Sequence, residues 1–424
     1  MMDIFNQFLD PFLLTGFLIG VLYFYFIATF DFWANNGVPY RKPTLLLGNF
    51  GPLLLFKKSQ QDGIYDMYNW FKNERYFGVY RVRSPIFILR DPDLVKSVCV
   101  KDFSCFPNRG IPVNTQDPLS GHLFNLEGKK WKGLRSKLTP TFSSGKIKRM
   151  FYLLVECSEE FQKLIRHSAT GAPVEVRELA AKFTIDVIGS CAFGIQINAL
   201  ANEDSEFRIM AILDENSIAA QAFVFFAAGY ETSSTSISFC LHELALNPQI
   251  QEKLREDILQ GIEKHDGKLN YDSIQEMKYL DMVVQETLRK YPPAPLMSRR
   301  CEYPYQVPGT KIELPAGMRV VIPTYGLHHD PDHYPNPEQF IPERFTDENK
   351  RTRHPYTYLP FGEGPRNCIG MRFALLQTKV GIISFVKNHR VEVCEKTTVP
   401  IKFSKRSLVT TSEGGFWLKI SPLE

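Results

Sequence analysis

An unbroken apolar run dominates the start of the chain. Pro11 to Phe30 carries no charge and is bounded by Asp10 and Asp31. As a helix rising 1.5 Å per residue, it reaches about 30 Å, the thickness of a bilayer core. A cleaved leader has a shorter apolar region, a basic start and small residues at its cleavage site. Here the start is acidic (Asp3) and the run ends in Phe30-Asp31-Phe32-Trp33. Residues 1–32 are therefore expected to form a membrane anchor. Arg41 and Lys42 follow the span and no basic residue precedes it, which directs the body to the cytosolic side. Pro39, Pro43 and the run Leu45-Leu46-Leu47-Gly48-Asn49 predict a stiff connector.

Gly78 to Arg90 alternates and is rich in β-formers, predicting a hairpin that turns around Ser84-Pro85. Helical periodicity prevails from there on. The longest helix is expected from Asp214, a potential cap, to Asn247, where Pro248 stops it. Its middle, Phe223 to Ala228, is apolar on every face, so the helix belongs at the centre of a large protein. The small and hydroxyl residues from Ala228 to Ser234 predict a kink. Another helix is expected from Met371 to about Asn388. Glu252-Lys253-Leu254-Arg255 reads as a solvated helix face. No repeat or low-complexity segment appears, nor any linker within residues 50–424. The chain is thus expected to be mainly α with small β-sheets, one large domain over residues 33–424 behind an N-terminal transmembrane helix.

Composition narrows the function. Apolar residues make up 44% and phenylalanine alone contributes 33, enough for an extensive core. A net charge of +4 gives no argument for a nucleic-acid partner. The eight cysteines form no C-x-x-C pair and read as reduced thiols, not as a disulfide framework or a zinc site. His328, His329 and His333 resemble a metal cluster only on paper, because adjacent side chains in an extended segment point opposite ways.

One cysteine stands apart. Phe361-Gly362-Glu363-Gly364-Pro365-Arg366-Asn367-Cys368-Ile369-Gly370 is a Gly/Pro-rich loop running into a helix. Gly364 lets backbone N–H groups approach a sulfur, the following helix turns its positive end toward it, and Arg366 is near. These effects favour thiolate over thiol, and a thiolate so held suits iron. Taken alone, a buried inert cysteine in a turn remains the alternative. The loop, however, fits F-x-x-G-x-R-x-C-x-G at Phe361, Gly364, Arg366, Cys368 and Gly370. It resembles the haem-binding loop of the cytochromes P450.

That resemblance implies the cytochrome P450 fold and a haem b (iron protoporphyrin IX) cofactor. Cys368 would be the axial iron ligand, with Phe361 packed over the sulfur and Arg366 on a haem propionate. Trp131 and Arg135, in Trp131-Lys132-Gly133-Leu134-Arg135, match a W-x-x-x-R helix that meets a propionate. Arg299 matches a further propionate ligand and Arg109 another. Glu286 and Arg289 resemble the family's E-x-x-R pair, and Pro342-Glu343-Arg344-Phe345 its partner, so Glu286, Arg289 and Arg344 would form a structural charge network. Ala228-Gly229-Tyr230-Glu231-Thr232 resembles the oxygen-binding stretch. There Ala228 and Gly229 would leave room for dioxygen, and Glu231 and Thr232 would order water and pass protons. The implied activity is a haem-thiolate monooxygenase inserting one atom of O2 into a small lipophilic substrate. The chain has no G-x-G-x-x-G fingerprint, so electrons would come through NADPH-cytochrome P450 reductase, with cytochrome b5 as a second donor. Lys129, Lys130, Lys132 and Lys137 around Trp131 would dock that donor. The resemblance points to the microsomal group of vertebrate drug-metabolising and insect detoxification enzymes, on the endoplasmic reticulum membrane. The wording of the cysteine loop leans toward the insect branch.

The chain departs from the pattern in one place. Trp131 to Thr232 spans 101 residues, where family members carry on the order of 80 more, against the usual rule that only surface loops vary. Phe183 to Gly194 and Phe207-Arg208 are recognisable, and Met210-Ala211-Ile212-Leu213 then runs into the central helix. The helices that roof the substrate pocket are expected to be missing, an internal shortening near residues 208–214. A haem site without its roof would admit water and leak reduced oxygen. The alternative function is therefore a haem-binding but catalytically impaired form.

Overall fold

The computed structural model describes residues 11–114, 116–193 and 215–423. The apolar run becomes helix α1, Pro11–Ile27, whose large side chains face outward; Phe17 and Phe24 are each 68% exposed. Leu13–Asn35 is long and apolar enough to cross a membrane, and no other such span occurs among the described residues. The chain just past α1 is pinned to the body. Trp33 is buried, and its Nε1 donates to the Val79 carbonyl at 3.1 Å. The Tyr80 hydroxyl donates to the Phe30 carbonyl at 2.9 Å and accepts from the Trp33 N–H at 3.1 Å. Gly78 makes this seat possible, since a Cβ there would lie 2.4 Å from the Trp33 ring.

The hairpin forms, one step away from where its sequence placed the turn. Strand β1 is Tyr76–Arg81 and β2 is Ser84–Leu89, so the turn is Val82-Arg83 and Pro85 already lies in β2, opposite Tyr80. Val82 takes the left-handed conformation (φ 59°) that a two-residue hairpin turn requires. Pro85 is tolerated at the start of the strand. β2 pairs in parallel with β7 (Arg319–Ile322), and β7 pairs antiparallel with β4 (Met297–Arg300), giving the order β1-β2-β7-β4. Two lesser sheets complete the strands: β3 (Pro173–Glu175), β9 (Trp417–Pro422) and β8 (His389–Val393) in that order, and the pair β5 (Tyr305–Gln306) with β6 (Glu313–Leu314).

Helices build the rest. After α2 (Gly128–Leu138) comes α3 (Ser144–Ser168), which buries Ile147, Phe151, Leu154, Ser158, Phe161 and Ile165, a stripe at spacings of three and four. α4 (Val176–Ile188) stacks Phe183 on Phe161 at 4.7 Å. The central helix α5, Glu215–Leu246, is buried on all sides from Ser233 to Ala245. No break interrupts it where the sequence predicted a kink. Its hydroxyls turn back on their own helix: Thr232 donates to the Ala228 carbonyl at 2.6 Å, Ser236 to Thr232 and Ser238 to Ser234, each at 2.7 Å. These side chains satisfy themselves locally, the kind of bond that bends a helix without ending it. The expected cap Asp214 lies outside the described residues, as do Met210 to Leu213 and Phe207-Arg208. The C-terminal stop is where the sequence put it, with α6 (Pro248–Glu263) starting at the proline.

Arg255 corrects the reading of a solvated face. It is only 4% exposed, and it donates to the carbonyls of Val386 (2.9 Å), the last residue of α8 (Met371–Val386), and of His389 (3.0 Å), the first of β8. A cation placed on the orphan carbonyl of Val386 helps complete a helix terminus. The remaining long helix, α7, is Lys278–Lys290.

Buried histidines set a pH limit on this core. Burial pushes His242 down to about 4 and His328 down to about 3, from the ordinary 6.5. Both stay neutral in the fold but become charged in the unfolded chain. Unfolding therefore takes up protons as the pH falls below 6.5. Stability is expected to drop between pH 6.5 and 4 by up to about 1.4 kcal/mol per pH unit for each histidine. Urea midpoints measured across that window check this, and a flat profile would contradict it.

Candidate haem-thiolate site

The cysteine loop is shaped by two glycines with positive φ, Gly362 (70°) and Gly364 (74°). At Gly364 the need is strict: an added Cβ would lie 1.9 Å from the Cys99 carbonyl oxygen. Gly364→Ala is expected to dislodge the loop and reduce haem retention at least tenfold, from strain plus overlap with rigid backbone. Haem absorbance per mole of purified protein reads this directly, and wild-type occupancy would refute it. Within the loop the Cys368 N–H donates to the Phe361 carbonyl at 2.8 Å, so the ends of the motif are tied together. Phe361 itself packs against the main core.

The Cys368 thiol is crowded by protein from most directions yet solvent-exposed, the signature of a group on the wall of a hollow. Burial raises its pKa, while the Gly370 N–H, Arg135 and Arg109 pull it down. The sequence led us to expect a favoured thiolate. In the protein alone desolvation outweighs those three aids, so ligation must displace a proton.

Arginines from three distant segments converge on this loop and its own Arg366. Arg366, 2% exposed, donates to the carbonyls of Pro107 (2.8 Å) and Leu126 (2.5 Å) and stacks on buried Trp131 with its guanidinium 4.2 Å from the ring centre. Arg135, on α2, holds the loop by the Asn367 carbonyl (3.0 Å) and side-chain oxygen (2.9 Å). Arg109 donates to the Arg366 carbonyl at 3.1 Å and covers Phe124. Arg299, on β4, is 2% exposed and its Nε has no partner. Burial lowers the Arg109 pKa well below its usual range, and Arg299, Arg366 and Arg135 lower it further. Burial, then Arg299, brings Arg366 down to about 10. Among the described residues none of the four makes an ion pair with a carboxylate. Like charges gathered this closely, one of them with an orphaned donor, require anions between them. A planar iron ligand carrying two carboxylates, set against the Cys368 sulfur, meets that requirement, so the residues present fit a haem.

The loop is braced from the other side. Arg289 forks both oxygens of Glu286 (2.7 and 2.8 Å), and both side chains are fully buried. Arg344 reaches the same carboxylate at 3.3 Å, as does the Ile341 N–H at 3.0 Å. Arg289 continues to the carbonyls of His328 (2.9 Å) and Pro337 (2.8 Å). His328 Nε2 accepts from the Leu359 N–H at 2.8 Å, which fixes the proton on Nδ1, donated to the Arg289 carbonyl at 3.0 Å. The network thus ends two residues before Phe361. Both ring nitrogens of His328 are engaged by backbone, which gives this histidine a structural role.

On the opposite side Thr232 is turned onto Ala228, as above. Glu231 pairs with Arg177 of α4, a residue the sequence did not single out. Gly229 faces Ile188, whose Cδ1 would lie 2.6 Å from an added Cβ, so its missing side chain serves helix packing. Asn367 was also missed, although it adjoins Cys368. Lys129, Lys130, Lys132 and Lys137 are all exposed around Trp131.

A helical fold that presents one cysteine in a glycine-shaped loop beside four arginines, none ion-paired among the described residues, defines a haem-thiolate protein. The cytochrome P450 family model matches residues 41–212 and 206–418. The chain is similar to the probable cytochrome P450 6a13 of Drosophila melanogaster, 37% identical with 93% of this chain and 95% of the relative covered. It is also similar to cytochrome P450 6a2 of the same fly (36%, covering 95% and 97%) and cytochrome P450 9e2 of Blattella germanica (35%, covering 94% and 95%). The chain belongs to the cytochrome P450 family, oxidoreductases that use haem to incorporate molecular oxygen into their substrates. The family model matches in two pieces that meet at residues 206–212. The alignment with the first relative takes 472 positions to hold 93% of this 424-residue chain, so that relative carries residues along the alignment that this chain lacks.

Proposed function

We propose that this chain is a membrane-anchored monooxygenase. It would insert one oxygen atom of O2 into a small lipophilic substrate, with electrons from NADPH delivered by NADPH-cytochrome P450 reductase and, as a second donor, cytochrome b5. The observation that carries the reading is the Cys368 loop set against Arg109, Arg135, Arg299 and Arg366. In this reading Cys368 ligates the iron of haem b, the four arginines hold its propionates, and Phe361 shields the sulfur. Bound there, the haem supplies oxygen activation, favoured by thiolate ligation. The chain's own residues orient and isolate that group. Thr232 holds a hydroxyl proton on the Ala228 carbonyl, from which a half-turn of its side chain would free it for a distal water. The exposed lysines around Trp131 attract an acidic electron donor to the proximal side. Residues 1–32 are the anchor and 33–424 the haem domain, which would lie on the cytosolic face of the endoplasmic reticulum membrane.

The two-piece family match favours a second reading, a haem-binding form with impaired turnover, shortened near residues 208–214. Loss of roof helices lets water reach the reacting centre, which uncouples electron uptake from product formation. Reconstitution with reductase separates the two readings through product formed per NADPH consumed. A ratio near one supports the monooxygenase; NADPH drawn only into peroxide and water supports the impaired form. Sequencing the transcript across codons 205–220 tests whether the junction is a splice form, a pseudogene product or a misjoined gene.

A further inference from the structure

We propose that the cleft at the foot of α1 binds the phosphate of an anionic phospholipid headgroup. The cleft, of about 620 Å³, opens between the β1–β2 turn and the turn that leads into β7. That size lies within the range of small-ligand sites, about 300–1,000 Å³. Arg81 and Arg319 stand in its walls together with Ser84, Phe32 and Gly317, and its lining contains no carboxylate. Arg319 donates to the Gly110 carbonyl at 2.9 Å, and among the described residues neither guanidinium forms an ion pair. Burial and the nearby charges of Arg81 and Arg300 lower the Arg319 pKa, as expected of a cation that lacks a counter-ion. Next to the cleft, Arg83 stacks on Tyr25 of α1, its guanidinium 3.9 Å from the ring centre, and its carbonyl accepts from the Thr29 hydroxyl at 2.6 Å.

Depth identifies the ligand. Phe32 lines the cleft and follows the apolar span by a few residues, and the Trp33 seat fixes that relation. Once α1 is in a bilayer, the cleft therefore lies at the level of the headgroups. There a phosphate is abundant, and a planar guanidinium pair can fork its oxygens. The inference rests on the anchor reading above.

The test uses the full chain reconstituted in vesicles of equimolar phosphatidylcholine and phosphatidylserine. Each lipid is supplied in turn as a photoactivatable headgroup analogue, and cross-linked peptides are identified by mass spectrometry. Labelling by the serine lipid should concentrate on the β1–β2 and Pro315–Arg319 turns. The double variant Arg81→Gln, Arg319→Gln should lower the serine-over-choline preference on the order of tenfold, from loss of two cations at the surface. The variant Arg41→Gln, Lys42→Gln, outside the cleft, should change it far less. An equal loss in both variants would assign the effect to general surface charge and overturn the proposal, as would an unchanged preference in the cleft variant. Suppression of labelling by inorganic phosphate at fixed ionic strength would assign the cleft to a soluble anion and overturn the lipid source. Retention through an alkaline wash reports on the anchor separately. Release of the chain sinks the anchor reading and this inference with it, whereas retention without preference sinks the inference alone.

Discussion

Cys368→Ser is expected to abolish the strongly red-shifted Soret band of the reduced carbon monoxide adduct and to bring oxygenation to background. The substitution keeps the size of the side chain and removes the one group that can bond iron as a thiolate. The four arginines are untouched, so the variant should still take up part of its haem, but with the spectrum of a haem lacking thiolate. That combination separates binding of the cofactor from its ligation. An unaltered carbon monoxide spectrum in the serine variant would end the assignment of Cys368.

The second large effect is structural. Glu286→Ala removes the carboxylate shared by Arg289, fully buried, and Arg344, whose side chain is 10% exposed. Breaking a buried charge group by deleting one member costs about 3–5 kcal/mol, because the remaining charge is left uncompensated. The loss should be visible in urea unfolding. It should be accompanied by weaker haem retention, since the network reaches Leu359 through His328. Arg344→Ala should cost less, because Arg289 alone still forks the carboxylate. A loss below about 1 kcal/mol for Glu286→Ala would show that this network does not brace the loop.

What the sequence revealed depended on how local the cause was. The Cys368 loop was legible because its glycines, arginine and cysteine fall within ten consecutive positions, and Gly364 is forced by its own backbone. The central helix was legible from its length and all-round apolarity. The direction of its hydroxyls was not legible, because serine and threonine can bond either outward or to their own helix, and periodicity does not reveal which. Arg255 and Glu286 have the same spacing from a partner of opposite charge, yet Arg255 mainly serves the end of α8. Nothing near Arg255 in sequence encodes that distant terminus. The gathering of Arg109, Arg135, Arg299 and Arg366 could be anticipated only through family resemblance, since four segments must fold before their charges meet. The pairing of Glu231 with Arg177, and the packing of Gly229 on Ile188, needed the structure for the same reason.

The seat of Trp33 against Gly78 ties the chain just past α1 to the body. A span inclines to match the bilayer it occupies, more steeply in a thin one. Here any such inclination would swing the entire catalytic body through the same angle. Membrane thickness would then act as a rudder, setting which edge of the molecule dips toward the lipid.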